Sequence, residues 1–185
     1  FSVSGTVTTS PAGTGAATIN NNLTLGAEVK FLTDTGCTLT VNGTIGTAGN
    51  LLIVDGAGDA TLAAAVSGGG ALTKNDSGTL ILGAAAANSY TGATTINGGV
   101  VNARNSTSLG TVAGGVVVAN GAALELQGGI SVGAEALTIN GTGIGGAGVL
   151  RNIAGVNTWG GTIAVSTAST IKSDADTLTI TGAIT

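Results

Sequence analysis

The chain has 185 residues, 43% of them hydrophobic, which is enough apolar material to bury a core and excludes general disorder. Five Lys and Arg against nine Asp and Glu give a net charge of −4 with no basic patch, which argues against nucleic acid as a partner. Histidine is absent, removing the usual general base and commonest metal ligand, and the lone Cys37 can form neither an internal disulfide nor a zinc or redox pair.

In chain order, short strand candidates with alternating character fall at 17–19, 23–25, 29–32, 38–41, 51–54, 61–62, 79–82, 94–96 and 100–103. The second half adds 116–118, 123–126, 131–132, 136–139, 149–151, 162–165, 170–172 and 177–181. The Ala-rich pieces 63–66 and 84–87 are too short to nucleate a helix and read as loops or strand edges. Glycine, 34 residues against one proline, recurs between apolar triplets and marks frequent turns. With only Phe1, Phe31, Tyr90 and Trp159 as aromatics, burial must come from Val, Ile, Leu and Ala, so the core is thin. Stacked strands suit that supply better than a sandwich, whose sheets stand about 10 Å apart.

Strand spacing of this kind is shared by hairpin sandwiches and β-solenoids. Asn-Gly pairs at Asn42–Gly43, Asn97–Gly98, Asn120–Gly121 and Asn140–Gly141 suit tight hairpins, which would give antiparallel sandwiches in a fibre; they equally suit corners of a coiling chain. An internal echo favours a repeating rod: Thr38-Leu-Thr-Val-Asn-Gly-Thr-Ile45 matches Thr177-Leu-Thr-Ile-Thr-Gly-Ala-Ile184, and segment 23–45 as a whole resembles 163–184.

The elements Leu72-Thr-Lys74, Gly78-Thr-Leu-Ile-Leu82, Asn88-Ser-Tyr-Thr-Gly92, Thr94-Thr-Ile-Asn97 and Gly99-Val-Val101 resemble the autotransporter-associated β-strand repeat, here over 71–103. Much of the chain from 105 to 162 is similar to the segment that commonly follows that repeat in large secreted proteins. The resemblance implies an all-β chain, 1–185, folded as one right-handed parallel β-helix segment, with Asn-Gly pairs as its corners. It also implies a bacterial cell-surface or secreted location and the role of a stalk, passenger or filament segment of an adhesin-like protein. Partners would then be neighbouring repeats or identical subunits stacked head to tail, with surface glycans or other cells as further possibilities. Asn42, Asn97, Asn102, Asn120 and Asn140 are expected to stack as amide ladders. No apolar run approaches the roughly 18 residues of a membrane span, and the start at Phe1 reads as a processed or excised segment.

Several residues could carry chemistry. Lys74 with Ser77 formally offers a Ser-Lys nucleophile, but the repeat pattern accounts for both. Asp174 and Asp176, two apart on an extended segment, and Asp55 and Asp59, flanking Gly56-Ala57-Gly58, offer the paired carboxylates of a glycan-cleaving solenoid or a calcium turn. Solvated turn carboxylates are the simpler reading, and Arg104 and Arg151 are too few for a sugar-cleaving groove. Tyr90 and Trp159 could stack on a glycan but more simply pack inside. The Thr-x-Thr sets at Thr6, Thr38 and Thr177 suggest an ice-binding solenoid only if they align on consecutive coils. The glycine-rich pieces 68–70 and 143–148 lack the helix and Lys-Ser/Thr ending of a phosphate cradle. The expectation is a non-enzymatic chain with no catalytic, cofactor-binding or metal-binding residue.

Overall fold

Period-two alternation gives each short strand one apolar side, and the corners between strands turn that side inward on every coil. The structure, a computed structural model, describes residues 1–9, 14–83, 85 and 87–185. It is a β-solenoid in which all the named strand pairs are parallel, which excludes the antiparallel sandwich. Parallel crossovers of this kind are almost always right-handed.

Each coil has three sides. The first is an eight-stranded sheet: Ala16–Ile19, Thr38–Val41, Asp59–Leu62, Thr79–Leu82, Val100–Ala103, Ala123–Gln127, Leu150–Ala154 and Ile171–Ser173. The second side carries Ile45–Gly46, Val66–Gly68, Ser89–Tyr90, Ser131–Val132, Asn157–Trp159 and Leu178–Ile180. The third carries Leu52–Asp55, Leu72–Lys74, Thr94–Ile96, Val116–Val118, Leu137–Ile139 and Ile163–Val165. The long strand Leu23–Thr33 bends across the second and third sides and pairs with Ser2–Thr9 along its length.

Register stacks like on like. Leu39, Ala60, Leu80, Val101, Leu124 and Leu150 form one interior column, and Phe31, Val54, Lys74, Ile96, Val118 and Ile139 form another. Each fully buried Leu or Val in such a column is worth about 1.5–3 kcal/mol. The coil advances by as few as 80 − 60 = 20 residues and as many as 159 − 132 = 27, the excess lying in a loop with the 3-10 turn Ile144–Gly146.

Asn42–Gly43, Asn97–Gly98 and Asn120–Gly121 each lie between consecutive strands as solenoid corners. Gly121 adopts positive φ (81°), whereas Gly43 is required for closeness: a Cβ there would come within 1.9 Å of the Asn21 carbonyl oxygen. The echoed segments fall on different sides, since Thr38–Val41 is on the first and Leu178–Ile180 on the second. What recurs there is a strand-corner-strand unit usable at more than one corner.

Val66, in the piece 63–66 expected as a loop or strand edge, opens the strand Val66–Gly68, and the expectation for 84–87 includes Ala84 and Ala86, which lie outside the described residues. Strands Ile45–Gly46, Ser89–Tyr90 and Asn157–Trp159 were not predicted, because two or three residues with Gly, Ser or Asn show no alternation.

Candidate functional site

Side chains that could do chemistry sit either on the outer surface or inside the coils, and these two settings treat them differently. Outside, register builds a polar column on the first sheet: Asn102, Glu125, Arg151 and Lys172 on successive coils. Asn102 Nδ2 donates to Glu125 at 3.0 Å, Arg151 pairs with Glu125 at 2.8 Å and also with Asp174, and Lys172 pairs with Asp174 at 2.8 Å. Hydrogen bonds from Lys172 and then Arg151 hold the Asp174 carboxyl below the usual carboxylate range. Asp176, with φ 58°, accepts the Gly155 N–H at 2.7 Å.

The other two candidate carboxylates, Asp55 and Asp59, are engaged likewise. Asp55 pairs with Lys30 at 2.7 Å, and that hydrogen bond lowers its pKa and raises that of Lys30. Asp59 accepts the Thr79 N–H at 2.8 Å on the next coil. Asp55 and Asp59 therefore serve different partners, and among the described residues no group of three or more acids, His or Cys could hold a metal.

Threonines align only in short runs. Thr18, Thr40 and Thr61 are in register, but the second column beside them reads Ala16, Thr38 and Asp59. Thr6 faces Lys30. The paired planes that ice binding requires are interrupted by these neighbours.

Inside, Lys74 occupies an aliphatic column and is 1% exposed. Its ammonium donates to the Asp76 carbonyl at 2.9 Å and also to the Asn75 carbonyl, closing the corner from within. Burial pushes its pKa down. Nucleophilic use with Ser77 would require exposing this ammonium. Tyr90 and Trp159 are fully buried, out of reach of an external glycan, and the Tyr90 hydroxyl hydrogen-bonds that of Thr94 at 2.6 Å. Burial drives the Tyr90 phenol well above its ordinary range. Cys37 is buried, and Arg104 donates to Asn102 at 2.8 Å.

The expected amide ladders are real but short and differently composed. Asn42 donates to Asn20 at 2.8 Å and Asn97 to Asn75 at 2.9 Å, whereas Asn102 turns to Glu125 and Asn140 to the Val118 carbonyl. Sequence reasoning missed the buried amides. Asn88 takes the Val66 N–H at 2.8 Å and gives to the Ser108 carbonyl at 2.7 Å, joining three coils. Asn157 takes the Ile130 N–H at 2.6 Å and donates to the Ala154 and Gly155 carbonyls, while Asn152 donates to the Ala175 carbonyl at 2.7 Å. For Asn88 and Asn157, a place immediately before or within a second-side strand is the sequence signal that could have marked them, whereas Asn152 lies in the first-side strand Leu150–Ala154.

Parallel coils, inward aliphatic columns and corner amides define a repeat-built β-solenoid. Residues 72–103 match the Passenger-associated-transport-repeat family, so the chain carries that repeat. Over 136 residues, 73% of this chain, it is 35% identical to the Adhesin BmaC autotransporter of Brucella suis biovar 1 (strain 1330). The matched stretch is 4% of that protein's length. No solved structure matches the chain. It is a passenger-type repeat segment similar to part of an autotransporter adhesin.

Proposed function

We propose that the chain is a non-catalytic shaft segment of a secreted or surface-exposed adhesin-like protein, stacked end to end with neighbouring coils or identical subunits. The observation that carries this reading is the unbroken parallel stack itself, in which the outer acids Asp55, Asp59, Asp174 and Asp176 are bound to the chain's own cations and N–H groups. Eight strands with seven spacings of roughly 4.8 Å give a shaft about 34 Å long from first strand to last. Similarity to an autotransporter adhesin supports the location and the role.

The end coils support stacking. At one end an apolar cavity of about 290 Å³ is lined by Phe1, Val3, Val7, Ile19, Asn21 and Leu23. At the other, Ile184 is exposed and Ile171, Leu178 and Ile180 are half-buried. A second coil stack would cover both and pair their strand edges.

Electron microscopy and light scattering over a concentration series test this. The expected result is rods of constant width that lengthen with concentration, and shorten when Val3→Lys charges one end. Monomers of unchanged length at every concentration would remove the stacking claim. Polysaccharide cleavage lost in Asp174→Asn/Asp176→Asn would overturn the non-catalytic reading.

A further inference from the structure

Asparagine followed by glycine is the dipeptide most open to cyclisation, because a residue without a Cβ leaves its nitrogen unshielded. The chain has four such pairs, at Asn42, Asn97, Asn120 and Asn140, and their surroundings in the solenoid differ.

Three of them are held twice over. Ring closure needs the side-chain carboxamide to turn back onto the next residue's nitrogen, so a bond to either group opposes it. Asn42 Nδ2 donates to Asn20 at 2.8 Å, Asn97 Nδ2 to Asn75 at 2.9 Å, and Asn140 Nδ2 to the Val118 carbonyl at 3.1 Å. Their glycines are fixed as well. Gly43 is buried against the Asn21 carbonyl, a Cβ at Gly98 would come within 3.1 Å of the Asp76 nitrogen and carbonyl oxygen, and the Gly141 N–H donates to Thr167 Oγ1 at 2.8 Å.

Asn120–Gly121 has neither hold. It lies in a turn closed by the Ala122 N–H on the Ala119 carbonyl at 3.1 Å, with Gly121 at positive φ where a type II turn places glycine. Both residues are exposed, and a Cβ on Gly121 would meet nothing within 4 Å. Among the described residues, neither the Asn120 carboxamide nor the Gly121 N–H has a hydrogen-bond partner. The carboxamide oxygen only rests on Gly141 of the next coil, where a Cβ would come within 2.0 Å of it.

We propose that Asn120 is a self-modification site, at which the folded shaft converts asparagine to aspartate and isoaspartate while protecting its other three Asn-Gly pairs. The Gly121 nitrogen gives its proton to solvent and bonds to Asn120 Cγ, and the Cγ–Nδ2 bond breaks with Nδ2 leaving as ammonia. Water then opens the succinimide, at Cγ to give aspartate or at the main-chain carbonyl carbon to give isoaspartate. Either product adds a carboxylate, so the net charge becomes −4 − 1 = −5 at pH 7. In isoaspartate the main chain runs through Cβ and Cγ and is one atom longer, against Gly141 and beside the fully buried Ala122, Ala123 and Leu124.

The test is to age the intact chain at mildly alkaline pH, folded and in urea, and map its peptides by mass spectrometry with fragmentation that tells isoaspartate from aspartate. Cleavage after Arg104, Glu125 and Arg151 puts Asn120 and Asn140 on separate peptides. A carboxamide hydrogen bond that must break before ring closure slows the step, so folded Asn120 should convert about tenfold faster than each of the other three. In urea the four rates should converge, because the protection belongs to the fold. Folded Asn42, Asn97 or Asn140 converting as fast as Asn120, or the same preference for Asn120 persisting in urea, would overturn the proposal. Aspartate formed at 120 without isoaspartate would overturn the cyclic route. The comparison uses the wild-type chain throughout, so it does not depend on any variant folding.

Discussion

Between Leu72 and Ala103 the interior holds Lys74, Asn88, Tyr90 and Thr94, and each of them has a protein partner for its polar end. Between Thr111 and Trp159 it holds Thr111, Glu135 and Trp159, each with a buried polar atom that has none. The first stretch is the one that matches the repeat family, and its first-side register advances by 101 − 80 = 21 residues; the second contains advances of 23 and 26 residues. A constant coil length brings the same corner positions over one another, and Asn88 reaches backbone groups of both neighbouring coils this way, whereas Lys74 and Tyr90 find their partners within their own coil. The longer coils satisfy buried amides too, since Asn152 and Asn157 have partners there, so the difference between the two stretches lies with Thr111, Glu135 and Trp159.

Corner glycines give the sharpest way to break that comparison, and the largest effect. A Cβ at Gly92 would come within 2.5 Å of the Gly70 carbonyl and the Ala71 nitrogen, all backbone and unable to swing aside. Gly92→Ala should cost about 3 kcal/mol or more, at the top of what overpacking does. Gly133, on the same corner of the longer coil, is exposed and has nothing within 4 Å of a Cβ. Gly133→Ala should stay within about 0.5 kcal/mol. Denaturant midpoints measure both, and equal losses would show that coil regularity does not set the spacing.

How much of this was legible beforehand follows the same division. First-side strands such as Thr38–Val41 and Thr79–Leu82 alternate over four residues, enough for period two to show, and they were placed correctly. Second-side strands such as Ser89–Tyr90 are two residues long and identified only by what they stack on, a relation that sequence does not display. Parallel pairing came from the family resemblance, since Asn-Gly pairs fit hairpins and corners alike. Among candidate residues, the packing of Tyr90 and Trp159 followed from the family resemblance, which puts an aromatic at both positions. The burial of Lys74 was not foreseen, because no strand was expected at 72–74 and a lysine is seldom fully buried; period two puts it on the face of Leu72, and register with Val54 and Ile96 places it inside.

Lys74 provides the next largest effect, read through pH. Burial depresses its folded pKa below 10.5, so between that lowered value and 10.5 the unfolded chain binds more protons than the folded one. Stability should rise with pH across that window, by at most about 1.4 kcal/mol per pH unit. Lys74→Met keeps length and apolar bulk but removes the titration, so its stability should be flat there relative to wild type. A parallel rise in both proteins, measured by urea unfolding at several alkaline pH values, would place the ammonium in water and remove it from the column.

The outer column of Glu125, Arg151 and Asp174 should matter least, and its dependence on salt and acid separates it from the interior. Exposed ion pairs contribute little and are screened by added salt, whereas buried hydrogen bonds such as those of Asn88 are not. Arg151→Ala should thus give a small loss at low ionic strength that shrinks in high salt. Asp174 has a folded pKa below 3.8, so its contribution is present above that value and fades as pH falls through the folded pKa, where the folded state must take up its proton. In Arg151→Ala this acid loss should be reduced but not abolished, because Lys172 still holds the carboxylate and is the larger cause of its shift. An Arg151→Ala loss that persisted unchanged in high salt would mean that the guanidinium stem acts by covering the strand beneath it, and the column would then belong with the packed interior.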